Sequence, residues 1–120
     1  VPLQLEGMMT GSIDLLCRHQ GRYYVIDYKT NYLGDATSDY EGDALTAAIY
    51  HHQYDLQYLL YCVAVKKILA LRQPDAAFED LFGGVMYLFL RGMTGGPDAG
   101  VYFDPVPIDL IQALDASLGP

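Results

Sequence analysis

This sequence has few basic residues and no long apolar run, and each shortage excludes a class of protein. Seven Lys and Arg residues against fifteen Asp and Glu residues give a net charge of −8. A stand-alone nucleic-acid-binding domain usually presents a basic surface, so this charge argues against one. The apolar runs are shorter than a membrane-spanning helix and no signal peptide opens the chain, so a membrane partner is not expected.

Residues that could bind a soft metal are also scarce. Cys17 falls in an apolar strand pattern and Cys62 in an apolar helix pattern. We interpret both as reduced core residues rather than a disulfide, because neither has the neighbouring ligands of a zinc or iron–sulfur site. His51 and His52 are adjacent, and adjacent residues point about 100° apart on a helix, so we interpret them as helix-end residues rather than joint metal ligands.

The sequence does contain enough apolar residues for one domain. Its 120 residues are 52% hydrophobic, which excludes disorder and allows a sizeable core. The opening, Val-Pro-Leu-Gln-Leu, has no initiator methionine. We therefore expect a single domain over residues 1–120, truncated on its N-terminal side and cut from a longer polypeptide.

Hydrophobic periodicity predicts a small mixed β-sheet flanked by helices, an α/β (α+β) fold with the order β-β-α-α-β-β-α. Asp43 is the predicted cap of the first helix, and Gln73–Pro74 ends the second. The predicted strands are residues 9–18, 22–29, 85–90 and 101–103, and the predicted helices are residues 44–50, 54–72 and 108–118. The predicted apolar stripe of the second helix consists of Leu56, Leu59, Leu60, Val63, Ala64 and Ile68.

The most informative segment is a predicted hairpin between residues 11 and 29. Apolar residues alternate on both sides of Gln20–Gly21, the only turn-like pair between them, which predicts a tight turn. Pairing about this turn places Leu15 opposite Ile26 and Asp14 directly opposite Asp27. Two carboxylates opposed on one face of a sheet repel each other, and among apolar neighbours the cost is higher.

A lysine follows the second of these aspartates at strand spacing. Lys29 lies two residues beyond Asp27, so the pleat points both side chains to one face. Two carboxylates beside one ammonium form a net negative pocket, which suits a hard divalent cation with oxygen ligands. The alternative is a pair of solvent-exposed carboxylates and a surface lysine. Leu16 and Val25 are predicted on the same face, which favours the pocket.

The long helix carries polar groups that could complete this pocket. Gln57 and Tyr61 project from one face about one turn apart, and a helix packed over the hairpin would bring both above the carboxylates. The alternative is an exposed Gln57 and a half-buried Tyr61 with its hydroxyl in water. Tyr54 and Tyr58 extend a tyrosine ridge, which either stacks bases or packs into the core.

Four segments, in this order and at this spacing, resemble the motifs of the PD-(D/E)XK nucleases. Gly-Ser-Ile-Asp-Leu (11–15) and Tyr-Tyr-Val-Ile-Asp-Tyr-Lys-Thr-Asn-Tyr-Leu-Gly (23–34) resemble motifs II and III. His-Gln-Tyr-Asp-Leu-Gln-Tyr-Leu-Leu-Tyr (52–61) resembles the Gln-x-x-x-Tyr helix of the RecB-type branch, and Gly-Gly-Val-Met-Tyr-Leu-Phe-Leu-Arg-Gly (83–92) is similar to its late strand. The resemblance covers nearly the whole chain and implies a restriction-endonuclease-like core, as in the C-terminal nuclease domains of exodeoxyribonuclease V beta subunits.

The resemblance implies a Mg²⁺-dependent phosphodiesterase that acts on DNA, with Ca²⁺ or Mn²⁺ able to substitute. Carried over by position, the carboxylates of Asp14 and Asp27 and the backbone carbonyl of Tyr28 would be the metal ligands. A bound metal lowers the pKa of water and polarises a phosphoryl oxygen.

The same resemblance implies roles for three more residues. Lys29 would orient or help to activate the attacking water and offset charge on the phosphate, while Gln57 and Tyr61 would line the site. Arg91 lies in a family-like stretch without an implied role. The family also places a histidine ligand on a helix upstream of the hairpin. This sequence does not contain that helix, and Glu6 matches no family ligand. Because the histidine ligand is missing, we expect the isolated fragment to bind metal weakly and to cleave DNA poorly or not at all.

By the same resemblance, the chain would belong to a RecBCD-type helicase–nuclease of the bacterial cytoplasm. Such an enzyme processes double-strand DNA ends for recombinational repair, and ATP would bind only to its helicase domains, outside this sequence. The implied partners are DNA as double-strand ends and single strands, RecC-like and RecD-like subunits, and the recombinase RecA. The alternative function is a protein-interaction module for RecA loading, with little or no cleavage by the isolated fragment.

Overall fold

A four-stranded mixed sheet organises the chain. The computed structural model describes residues 2–5, 9–12, 15–93 and 99–119, with side chains from residue 16 onward. A short hairpin pairs β1 (Pro2–Leu5) with β2 (Met9–Ser12). The main sheet has the spatial order β3-β4-β5-β6. Its strands are β3 (Leu15–His19), β4 (Arg22–Lys29), β5 (Phe82–Phe89) and β6 (Val101–Asp104).

Helices flank this sheet, as the sequence predicts. They are α1 (Gly42–His51), α2 (Tyr54–Arg72), the short α3 (Phe78–Leu81) and α4 (Ile108–Ser117), with 3₁₀ turns at Thr37–Tyr40 and Leu90–Gly92. The predicted bounds of the long helix are confirmed. The predicted cap at Asp43 is wrong, because α1 begins at Gly42 and Asp43 lies inside its first turn. No helix among the described residues is long and apolar enough to cross a membrane.

The predicted register of the central hairpin is confirmed where the structure describes it. Leu15 pairs with Ile26, and Cys17 pairs with Tyr24. Gln20 and Gly21 both have positive φ angles, 51° and 81°, which matches the twist of a two-residue hairpin turn. The predicted pairing of Asp14 with Asp27 lies outside the described residues.

The parallel pairing of β4 with β5 brings the carboxyl ends of these strands to one edge of the sheet. Asp27 pairs with Tyr87, and Lys29 pairs with Phe89. Parallel neighbours need a long crossover connection, and here α1, α2 and α3 lie between the two strands in the chain. Residues near the end of β4 therefore lie beside the end of β5, with the start of α2 close by.

One face of the sheet packs beneath α2. Val25, Val85, Tyr87 and Phe89 on this face have 0% exposure. Tyr54 and Tyr58 of α2 contact the ring of Tyr87, with centroids 5.6 and 5.7 Å apart, so the helix lies directly on the strand. The core of the molecule therefore lies between this sheet face and α2.

The opposite face of the sheet is also apolar but remains partly exposed. Strand alternation and the observed register place a row of apolar side chains there. Tyr28 is 44% exposed and Phe103 is 47% exposed. The open face, as we call it, consists of Cys17, Tyr24, Ile26, Tyr28, Met86, Leu88, Val101 and Phe103.

The predicted apolar stripe of α2 is only partly right. Val63 and Ala64 are buried as predicted, but Leu56 is 54% exposed. The helix is apolar on most of its circumference, so the sheet rather than the sequence pattern decides which side is covered. The buried residues of α2 are Tyr58, Cys62, Val63, Ala64, Val65 and Leu69.

A buried tyrosine ties α2 to the end of β6. The hydroxyl of Tyr58, a residue that is 3% exposed, donates to Asp104 Oδ2 at 2.6 Å. The other carboxylate oxygen of Asp104 accepts from the backbone N–H of Val106 at 2.8 Å. Burial, followed by the hydrogen bond to Asp104, raises the pKa of Tyr58, so this hydroxyl remains a donor.

We expect Tyr58→Phe to lower the free energy of unfolding by about 1–3 kcal/mol, because the substitution leaves the Asp104 carboxylate without its short hydrogen bond. Urea unfolding followed by circular dichroism measures the change. Tyr50→Phe is the matched control, since Tyr50 is 58% exposed. Equal stability of Tyr58→Phe and the unsubstituted chain would contradict the prediction.

Candidate active site

A buried carboxylate and a lysine lie together at the end of β4. Asp27 is 4% exposed and is the one charged residue in the buried class among the described side chains. Its Oδ2 atom lies 3.3 Å from Lys29 Nζ. The predicted common face of these two side chains is confirmed, and the alternative of a solvent-exposed Asp27 is wrong. Burial of a carboxylate requires a compensating charge or hydrogen bonds, and the ammonium supplies the charge.

Helix α2 contributes Gln57 to this pair. Gln57 Oε1 accepts a hydrogen bond from Lys29 Nζ at 3.2 Å and another from the Tyr87 hydroxyl at 2.6 Å. The predicted approach of Gln57 to the acidic strand is therefore confirmed, and its alternative placement as an exposed residue is wrong. Tyr61 is half-buried and packs against the core.

Tyr87 is a site neighbour that the sequence interpretation missed. It pairs with Asp27 across the parallel strands and has 0% exposure. Burial raises the pKa of the Tyr87 phenol, with further contributions from the nearby Asp27 carboxylate and the Tyr61 phenol. Tyr87 therefore stays protonated and donates to Gln57. A buried tyrosine hydroxyl usually has a polar partner, and that rule was the available signal in an otherwise apolar run.

Tyr54 provides an aromatic surface beneath the lysine. Lys29 Nζ lies 4.1 Å from the centroid of the Tyr54 ring, and the Tyr54 hydroxyl donates to Asn31 Oδ1 at 3.2 Å. Tyr58, by contrast, is in the core. The core-packing interpretation of the tyrosine ridge is therefore right for Tyr58. It is also right for Tyr54, which packs against the core and contacts the lysine in addition.

The two histidines lie at the end of a helix, as predicted. His51 is the last residue of α1 and His52 is its C-cap. His52 stacks on the Tyr54 ring, with centroids 5.3 Å apart, and its Nε2 lies 3.4 Å from Asn31 Nδ2. His52 therefore packs against Tyr54 and helps to hold its ring in position.

Arg91 fixes the residue that follows the lysine. Its Nε donates to the backbone carbonyl of Thr30 at 2.6 Å. Because Arg91 is the second residue after β5 and Thr30 is the first after β4, this bond joins the ends of the two strands.

The oxygen atoms at this site are of the chemical type that binds a hard divalent cation. A carboxylate such as that of Asp27 and a backbone carbonyl such as that of Tyr28 are oxygen ligands of the type that Mg²⁺ prefers. No cluster of three or more His, Cys, Asp or Glu side chains with metal-binding geometry occurs within the described residues. Asp14, the other predicted carboxylate ligand, is outside them.

Comparison with known proteins shows the family to which the chain belongs. The sequence model of the PD-(D/E)XK nuclease superfamily matches residues 1–116. The chain belongs to the PD-(D/E)XK nuclease superfamily. Its Asp27-Tyr28-Lys29 segment has the (D/E)-x-Lys pattern that appears in the superfamily's name.

Individual similar proteins indicate which branch of the superfamily the chain resembles. The chain is 47% identical over 112 residues to the RecBCD enzyme subunit RecB of Haemophilus influenzae, covering 93% of the chain and 9% of that protein. It is 46% identical over 114 residues to RecB of Escherichia coli, covering 94% of the chain and 10% of that protein. It is 47% identical over 118 residues to RecB of Mycobacterium tuberculosis, covering 92% of the chain and 11% of that protein. The predicted resemblance to RecB is confirmed, and the chain spans about a tenth of these relatives.

The superfamily assignment agrees with the fold. A mixed sheet flanked by helices is the restriction-endonuclease-like architecture expected from the sequence. Family and fold therefore agree in placing the chain in the PD-(D/E)XK nuclease superfamily.

Proposed function

We propose that residues 1–120 form one nuclease domain of a longer RecBCD-type helicase–nuclease, which processes double-strand DNA ends for recombinational repair in the bacterial cytoplasm. The observation that carries this proposal is the convergence of Asp27, Lys29 and Gln57 at the end of β4. The RecB relatives support the branch. By the same similarity, RecC-like and RecD-like subunits and DNA are the proposed partners.

We propose Asp14 and Asp27, with the backbone carbonyl of Tyr28, as the residues that hold Mg²⁺, with Mn²⁺ or Ca²⁺ able to substitute. A bound divalent cation supplies polarisation of a phosphoryl oxygen and a water of lowered pKa. The burial of Asp27 supports this role, since a carboxylate in a dry setting interacts strongly with a nearby cation.

The ammonium of Lys29 is the group that we propose to act on the phosphate. Its contacts to Asp27 and Gln57 hold it beside the proposed metal ligand. From this position it can donate to the attacking water or to a phosphate oxygen, and its charge offsets the negative charge that builds in the transition state. Tyr87 remains a neutral donor to Gln57 and adds no negative charge to the site.

A single-stranded substrate tests the nuclease without the unwinding step. We expect the longer protein to release nucleotides from end-labelled single-stranded DNA in Mg²⁺ without ATP, because no strand separation is required. Addition of EDTA should stop the release, and excess Mg²⁺ or Mn²⁺ should restore it. Gel electrophoresis measures the products.

Duplex DNA then tests the proposed end processing. With ATP and Mg²⁺, linear duplex should be degraded and covalently closed circular duplex should remain intact. Cleavage that persists in EDTA would contradict a metal-dependent nuclease. Equal degradation of circular and linear DNA would contradict processing from ends.

A further inference from the structure

Lys29 lies between two oxygen atoms and two aromatic rings. Its Nζ is 3.3 Å from Asp27 Oδ2 and 3.2 Å from Gln57 Oε1. It is also 4.1 Å from the ring centroid of Tyr54 and 5.3 Å from that of Tyr87. Both ring distances are inside the limit of about 6 Å for a cation–π interaction.

The Tyr54 ring is held in place from outside the site. The Tyr54 hydroxyl donates to Asn31, and the ring stacks on His52 with an interplanar angle of 21°. On its inner side, the ring packs against Tyr87 and Phe89 of β5, with centroids 5.6 and 6.4 Å apart. Contacts on several sides therefore fix the surface on which the ammonium rests.

The Tyr87 ring is held even more firmly. It has 0% exposure and packs edge-on against Tyr58, with centroids 5.7 Å apart. Its hydroxyl binds the same Gln57 oxygen that accepts from Lys29. The second ring and the polar partner of the lysine are thus fixed as one unit.

Aromatic rings can position an ammonium without neutralising it. Lysine has a flexible stem and a strongly hydrated head, so it needs several contacts to adopt one position. Another carboxylate in place of a ring would pair with the ammonium and reduce the positive charge available to a phosphate. A ring face attracts the ammonium through its quadrupole and carries no net charge.

We propose that Tyr54 and Tyr87 are positioning residues that form an aromatic cradle for Lys29 and aim its ammonium at the reacting phosphate. This inference rests on the proposed function, because it takes Lys29 as the catalytic lysine. The cradle acts through the ring faces. The tyrosine hydroxyls fix the rings and Gln57.

Ring removal and hydroxyl removal at Tyr54 separate these contributions. In the longer protein, we expect Tyr54→Leu to lower kcat on single-stranded DNA about tenfold with KM nearly unchanged, because one cation–π contact is lost. Tyr54→Phe should retain most of kcat, since it keeps the ring. Tyr50→Leu, at an exposed tyrosine of α1, is the matched control and should leave kcat unchanged.

A spectroscopic measurement on the 120-residue chain tests the cradle without any cleavage. The ε-methylene protons of Lys29 should resonate upfield because of the Tyr54 ring current. This shift should disappear in Tyr54→Leu and persist in Tyr54→Phe. Circular dichroism reports whether each variant folds, and Tyr54→Met replaces Tyr54→Leu if the latter does not.

The outcomes separate this inference from the proposed function. The cradle is supported if Tyr54→Leu lowers kcat about tenfold and abolishes the upfield shift, while Tyr54→Phe retains most of kcat and the shift. An unchanged kcat in Tyr54→Leu, or equal losses in the two variants, overturns it. If the unsubstituted protein does not cleave DNA, the proposed function fails, and the NMR shift alone decides whether the rings hold Lys29.

Discussion

Asp27→Asn should abolish DNA cleavage by the longer protein while leaving ATP-driven unwinding intact. The amide has nearly the same volume as the carboxylate, so the packing around this buried position is preserved. It removes the negative charge at the proposed metal ligand and the ion-pair partner of Lys29. We expect the cleavage rate to fall about a thousandfold or more, since the stabilisation that depends on the metal is lost.

The measurement compares two activities of one preparation. Nucleotide release from linear DNA reports cleavage, and displacement of a labelled strand reports unwinding. Asp43→Asn, at an exposed position in the first turn of α1, is the matched control and should retain both activities. Cleavage by Asp27→Asn at the unsubstituted rate would contradict the proposed site, whereas loss of both activities would indicate misfolding and call for Asp27→Ala.

Lys29→Met should reduce kcat about a hundredfold to a thousandfold, the usual effect of removing a group that stabilises transition-state charge. Methionine keeps an unbranched apolar stem and can remain against the Tyr54 ring. Removing a positive charge that lies 3.3 Å from Asp27 should leave metal affinity equal or higher. Single-turnover cleavage and calorimetric titration with Ca²⁺ measure the two effects separately.

A remote lysine provides the control for this substitution. Lys67 is 43% exposed and pairs with Asp115 of α4 at 2.9 Å, away from the described site. Lys67→Met should cleave at the unsubstituted rate. Full activity of Lys29→Met would remove the lysine from the mechanism, and a parallel loss of metal binding would assign it a structural role instead.

The sequence predicts the part of the site that depends on local geometry. A two-residue turn at Gln20–Gly21 fixes the register of the hairpin, and strand alternation then places Asp27 and Lys29 on one face. Both predictions are confirmed. The position of Gln57 over the strand is also confirmed, since α2 packs on the sheet face that carries Tyr87, the neighbour of Asp27. The placement of Asp14 stays a prediction.

The parts that depend on tertiary packing could not be predicted in the same way. Leu56 looks as apolar as its neighbours on α2, and only the position of the sheet shows that it is exposed. Tyr87 appears in the sequence as one more residue of an apolar strand. Its contact with Gln57 depends on parallel pairing between strands that are far apart in the chain. The contact between Tyr54 and Lys29 likewise depends on how α2 lies on the sheet, so the sequence alone could not predict it.

We expect the open face of the sheet to favour self-association of the isolated chain. Aromatic and aliphatic side chains there, including the half-exposed Tyr28 and Phe103, form an exposed apolar patch of the kind that promotes aggregation. The net charge of −8 keeps neighbouring molecules apart at neutral pH. Salt shortens the reach of that repulsion to about 10 Å at 0.1 M. Dilute, low-salt buffers should therefore favour dispersed molecules, whereas acidification toward the isoelectric point of about 4.4 should favour precipitation.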